Sequence, residues 1–213
     1  MLNRYTILLL WWFVFFSASS EDDLPSVFSN RTLALSMGYG VPNLSAKMFD
    51  VFNSPQYNSL VRTWGPIHFR AEQAVSHWFG IGISFNIAYM EASWKESDPF
   101  NPSKTYSKHL QLTAMSFLLR SWIHFVPNHP FIDPYFSFGF GYRWNEIQYN
   151  NGGDPNDYNT IVYELAFPVA FEAALGFRYY LTRNLALYME TGIAKSIINI
   201  GFTFKIERDP MAL

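Results

Sequence analysis

The chain has 213 residues, a formal net charge of −2, 15% charged and 19% aromatic residues, and no cysteine. That length fits one domain, and the charged fraction lies well below the ~25% of a protein whose whole surface is wet. With no basic run there is no phosphate-binding surface and no nucleic-acid partner; the lack of cysteine excludes a disulfide framework, a thiolate metal site and a lipoprotein-type lipid anchor.

Residues 1–20 read as a secretory signal. Arg4 supplies the positive start, Ile7 to Phe16 the apolar run, and Ser17-Ala18-Ser19-Ser20 the small residues before cleavage near Glu21. The apolar run is about ten residues, short of the ~20 a spanning helix needs. A polar lead-in over 21–30 follows, and then residues 31–206 write segments in which large apolar side chains alternate with small or polar ones. Period two means strand, because successive side chains leave opposite faces of a pleated sheet.

The first segment, Arg31 to Val41, sets Leu33, Leu35, Met37 and Tyr39 against Ala34, Ser36, Gly38 and Gly40. After a loop over Pro42 to Leu60, rich in Asn, Ser and Pro, the second, Thr63 to Val75, sets Ile67 and Phe69 against His68, Arg70 and Glu72. The third sets Phe79, Ile81, Ile83, Phe85, Ile87 and Tyr89 against Gly80, Gly82, Ser84, Asn86 and Ala88, and leads into a loop over Ser93 to Ser107. The fourth, His109 to Phe125, breaks parity, because Leu110 and Leu112 fall on one side and Met115, Phe117 and Leu119 on the other; a β-bulge near Thr113 or Ala114 is expected. The fifth sets Phe136, Phe138, Phe140, Tyr142 and Trp144 against Ser137, Gly139, Gly141 and Arg143, and a third loop follows over Asn145 to Asn159. Three more segments, Phe167 to Tyr180, Leu185 to Ala194 and Ile198 to Ile206, repeat the pattern, and residues 207–213 form a tail.

The small-residue face decides between a soluble sandwich and a membrane barrel. A solvated face carries Lys, Glu and Thr freely, whereas this one carries Gly, Ala and Ser with isolated charges, as in a narrow lumen packed by its own side chains. Segments of about ten residues match a tilted strand crossing hydrocarbon. Eight strands joined alternately by long and short connections predict an all-β, antiparallel up-and-down transmembrane barrel with its long loops outside. Tyr39, Tyr89, Trp94, Tyr142, Trp144 and Tyr179 are the expected interfacial aromatics.

In this pattern the chain resembles the small eight-stranded outer-membrane barrels of the OmpA and OmpX type. The run Asn199-Ile200-Gly201-Phe202-Thr203-Phe204-Lys205-Ile206 is similar to the terminal signal of such barrels, with Asn199, Gly201, Phe204 and Ile206 at the matching positions. The resemblance implies a bacterial outer-membrane location, contact with outer-membrane lipids including lipopolysaccharide, and the barrel assembly machinery as a partner.

The expected polar constellation is a lumen charge network of Arg70, Glu72, Arg120, Arg143, Glu172, Arg178, Glu190 and Lys205. Mixed signs favour interlocking ion pairs over a selective pore, which needs a ring of one sign. Register across Thr182-Arg183-Asn184 places Arg178 opposite Tyr188 and diagonal to Glu190, within reach of a charge pair. The five histidines, and Asp154, Asn156 and Asp157, lack metal-ligand spacing. No histidine is followed two residues later by Ser, the pair that lipid A deacylases of similar size carry. The expectation is a non-enzymatic barrel with no cofactor and no metal, acting as a structural element or through an unidentified extracellular ligand or surface. The alternatives are an outer-membrane lipid-modifying enzyme and a transporter of small hydrophobic molecules through the barrel wall.

Overall fold

The structure, a computed structural model, describes residues 28–29, 32–44, 60–125, 129–157, 163–164 and 168–207. The expected signal, most of the lead-in and nearly all of the tail lie outside these residues. The strands are β1 (Thr32–Val41), β2 (Leu60–Ala74), β3 (Phe79–Ser97), β4 (Thr105–His124), β5 (Ile132–Asn150), the two-residue β6 (Tyr163–Glu164), β7 (Val169–Tyr180), β8 (Leu185–Ile193) and β9 (Ile198–Glu207). The eight long strands pair antiparallel with their neighbours, β5 passing to β7, and β1 pairs with both β2 and β9. The ring is therefore closed.

Alternation becomes two faces. Met37, Phe85, Phe140, Phe171, Leu175, Met189 and Phe202 are exposed on the outer wall, while Ser36, Arg70, Ser84, Asn86, Arg120, Glu172 and Glu190 are buried inside. An apolar wall around a polar interior is stable only if the wall faces lipid, since water would leave that large apolar area unburied.

β1, β7, β8 and β9 have 9 to 12 residues, whereas β2 to β5 have 15 to 20 and continue past the outer rim. Tyr89 in β3 lies opposite Trp64, just past the last β1–β2 pair, Tyr39–Ile67. The strand then runs eight residues further, to Ser97, roughly 25 Å along its length at ~3.3 Å per residue. In this projection the polarity of the faces inverts. Met90, Ala92, Trp94, Leu110 and Leu112 form a buried apolar cluster on the lumen-side parity, with Val61, Ile147 and Tyr149 packed against it, and Lys95, His109 and Gln148 stand on the outer side.

This inversion corrects three expectations. β4 has no bulge at Thr113 or Ala114, since its pairing with β5 runs without interruption from His109–Asn150 to His124–Tyr135. Leu110 and Leu112 share the parity of Arg120 because the lumen side turns apolar above the membrane. The irregularity lies in β2, between Trp64 and Ile67, where Gly65 takes a φ of 79°, a conformation that glycine adopts without a steric penalty. The bulge switches parity, so that Val61 and His68 both point inward. The second loop is also shorter than expected, because β3 continues to Ser97 and β4 begins at Thr105, and the third starts later, because β5 continues to Asn150. Trp94, expected at the lipid interface, is buried in the apolar cluster instead.

Inside, small residues make room for large ones. Tyr188 lies opposite Gly201, which lies opposite Gly38, and a Cβ at Gly38 would run into the Tyr188 hydroxyl. Gly38 gives the buried ring its space.

Leu175 is exposed on the outer wall midway along β7. Leu175→Arg should lower unfolding stability in lipid by about 2–4 kcal/mol, the cost of a cation at the bilayer midplane, read from urea titrations in vesicles.

Candidate functional site

Buried ion pairs in two groups fill the barrel interior. In the middle, Glu190 accepts hydrogen bonds from Arg70 at 2.8 Å, Arg120 at 2.9 Å and the Tyr135 hydroxyl at 2.8 Å. Arg120 also donates to Glu172 at 3.1 Å and to Ser137 at 2.6 Å. Toward the inner end, Arg178 donates to both Glu72 and Asp133, and the His124 ring sits between the same two carboxylates, Nδ1 at 2.6 Å from Asp133 and Nε2 at 2.7 Å from Glu72. Phe28, fully buried just before β1, stacks on that ring at 3.6 Å. Arg70 lies over the Tyr188 ring and Arg178 over Tyr135, at 5.3 and 4.6 Å, so guanidinium faces that carry no N–H meet π electrons.

Of the eight charges expected in the lumen, six come together in these two groups. Arg143 has the inward parity but lies exposed at the outer mouth, where it donates to the Val169 carbonyl. Lys205 is buried at the inner rim, paired with Glu207 and over Tyr180. The expected register of Arg178 opposite Tyr188 holds, but the charge pair drawn from it does not form: Arg178 reaches Glu72 and Asp133, and Glu190 takes Arg70 and Arg120. Arg178 takes Asp133, directly opposite on β5, and Glu72 across the narrow lumen in place of its diagonal neighbour. His124, Asp133 and Tyr135 escaped the sequence reading, although each has the inward parity of its strand.

At the outer mouth a second polar chain begins. His68 Nδ1 is 2.5 Å from Asn86 Oδ1, and Asn86 Nδ2 donates to Glu172 at 2.6 Å and to Ser116 at 3.1 Å. His68 Nε2 faces the Ser196 hydroxyl at 3.3 Å. Ser196 lies in the turn over 194–197 between β8 and β9. In the same turn the Lys195 ammonium is buried without a hydrogen-bond partner, as is Asn199 Nδ2 at the start of β9. Burial draws the Lys195 pKa down from 10.5 to about 7; Glu172 opposes this and Arg143 adds to it.

Above the membrane Lys108 joins Glu96, Asp154 and Asp157 at 2.9, 3.5 and 2.9 Å. Burial opposes its charge, but the Glu96 and Asp157 carboxylates outweigh burial and hold it above its ordinary range. The acidic turn of Asp154 and Asp157 is thus clamped to the β3–β4 hairpin. Among the described residues no group of three or more His, Asp or Glu side chains is arranged to hold a metal ion.

No protein-family profile matches the chain, and no curated protein matches it. Among solved structures it is similar to Ail, the attachment invasion locus protein of Yersinia pestis, at 9% identity and a TM-score of 0.46 over 83% of this chain and 99% of that one. Ail in complex with the heparin analogue sucrose octasulfate gives 9% and 0.44 over 82% and 98%. The N-terminal β-barrel domain of Pseudomonas aeruginosa OprF gives 13% and 0.38 over 84% and 98%. The closed ring, the apolar outer wall and the polar interior make this chain an eight-stranded barrel of the outer-membrane type.

Glu190→Gln removes the one charge shared by Arg70 and Arg120. The urea midpoint in detergent micelles should fall by the equivalent of about 3–5 kcal/mol, the cost of leaving buried charge uncompensated. Lys195 supplies a pH test. Between pH 7 and 10.5 the unfolded chain holds a proton that the fold has released, so this residue makes stability rise with pH across that window. Lys195→Met should raise the unfolding midpoint at pH 7 and remove that rise.

Proposed function

We propose that the chain is an integral outer-membrane barrel whose lumen network is a structural plug and whose outer hairpins present a contact surface. The observation that carries this reading is the projection of β2 to β5, which has its own apolar cluster and the Lys108 clamp. A sheet that merely closed the barrel would end at the membrane boundary. At its tip, Asp98 Oδ1 accepts from Phe100 N at 2.8 Å and Asn101 N at 3.3 Å, and Asp98 N donates to the Lys104 carbonyl at 3.0 Å. This small turn leaves Phe100 85% exposed. A large aromatic held out on an ordered turn, with its conformational entropy already reduced, suits an anchor for a partner surface.

The outer wall supports outer-membrane lipids, lipopolysaccharide among them, as neighbours. The terminal strand supports recognition by the assembly machinery. Phe204 and Ile206 project to the outer wall, Asn199 points inward, and a Cβ at Gly201 would meet the Met37 carbonyl. The mixed, tightly paired charges in the lumen count against conduction, because a pore needs unpaired field along its axis.

The test is retention of intact cells displaying the protein on protein-coated surfaces. Phe100→Ser combined with Lys104→Glu should reduce retention at least twofold while leaving the heat-dependent gel mobility of the barrel unchanged. Equal retention by the variant would refute the contact surface.

A further inference from the structure

Ser196, His68 and Asn86 stand in the order of a nucleophile, a base and the group that orients the base. The amide of Asn86 has its orientation set from the far side, because Nδ2 donates to the Glu172 carboxylate at 2.6 Å, which leaves Oδ1 facing His68. An oxygen at that position takes the proton on Nδ1, so the lone pair of the neutral ring is on Nε2, where the Ser196 hydroxyl lies at 3.3 Å. A hydroxyl with a basic ring nitrogen before it, and an acceptor behind the ring, is the arrangement that activates serine; its hydrogen bond is commonly loose before substrate binds. The three residues come from β2, β3 and the β8–β9 turn, so nothing local in the chain requires this order.

Two further features suit the reaction. A Cβ at Gly40 would run into the Ser196 hydroxyl and stand 2.9 Å from His68 Nε2, so glycine there lets the two groups meet. Lys195 Nζ, next to Ser196 in the turn, and Asn199 Nδ2, opposite Gly40 in the sheet, are buried donors with no acceptor. Leaving such donors unmade costs stability, and donors held ready without a partner are what a developing oxyanion needs.

We infer that the outer mouth of the barrel is an esterase site, with Ser196 as nucleophile, His68 as general base, Asn86 as the residue that positions His68, and an acyl ester as substrate. Ser196 Oγ adds to the ester carbonyl carbon and its proton passes to His68 Nε2. The carbonyl π pair moves onto oxygen, which accepts hydrogen bonds from Lys195 and Asn199. Collapse expels the alcohol oxygen, which takes the proton from His68 and leaves an acyl-serine. Water then adds to the acyl carbon, again with His68 taking the proton, and Ser196 Oγ departs with that proton. The net reaction is ester plus water to carboxylic acid plus alcohol, with no redox change. Ser196 is buried, and Leu44 N donates to the carbonyl of Lys195 in the same turn at 3.0 Å.

The experiment uses the full chain folded in detergent micelles, with gel mobility checked before and after heating. A fluorophosphonate probe should form a stable adduct that peptide mass spectrometry places on Ser196. Ser196→Ala should abolish it, and Asn86→Ala should slow labelling at least tenfold in a barrel that still shows heat-dependent mobility. In parallel, p-nitrophenyl butyrate, phosphatidylglycerol vesicles and lipopolysaccharide are assayed for released acid. Release from lipopolysaccharide or phospholipid identifies a lipid ester as the substrate, and release from the butyrate alone a small soluble ester; either must disappear in Ser196→Ala. An adduct on another residue, labelling indifferent to Asn86, or a folded barrel with neither adduct nor release in any arm overturns the assignment. Failure here leaves the contact surface at Phe100 untouched, because cell retention does not pass through Ser196.

Discussion

Inside hydrocarbon no water is available to satisfy a peptide group, so a sheet that crosses a membrane has to pair both edges of every strand. In this chain that requirement is met by the pairing of β1 with β9, from Thr32–Glu207 to Val41–Ile198. Closure then sets the interior. A ring of eight strands encloses a lumen only wide enough for side chains, and the inward residues have to satisfy one another there. Large inward groups such as Tyr188 and Tyr135 are accommodated over glycines, and six charges neutralise one another in pairs that span the lumen.

Where the membrane ends, the logic reverses. The outer faces of β2 to β5 meet water above the rim and become polar, and the lumen-side faces, no longer part of a polar plug, pack Met90, Trp94, Leu110 and Leu112 into an apolar cluster. One continuous sheet therefore carries two opposite solvent codes, and the β2 bulge at Gly65 and Pro66 lies near the change. Lys108 then ties the hairpin to the acidic turn, giving the projection an ordered tip.

The outer mouth is the place where the two regimes meet. The middle of the lumen pairs its carboxylates with guanidinium groups. At the mouth, Lys195 and Asn199 keep donors without acceptors beside a histidine whose far side is held by an amide. Unmatched donors also occur deeper in the lumen, at Nε of Arg70, Arg120 and Arg178; what sets the mouth apart is that Lys195 shares its turn with a hydroxyl lying 3.3 Å from a ring nitrogen.

The strand segments, their outward faces and the barrel class were legible in the chain, because a period of two is a local property that each strand displays without reference to its neighbours. The inward parity of Arg70, Glu72, Arg120, Glu172, Arg178 and Glu190 was legible for the same reason. Their partners were not: the choice of Glu72 by Arg178, and the approach of Ser196 to His68 across 128 positions of sequence, depend on lumen width and ring closure. Parity also misled at Leu110 and Leu112, where an inward apolar residue looks like a bulge until the membrane boundary is known. Side-chain direction is written residue by residue, but the medium that a face meets, and the group it meets there, are decided when the ring closes.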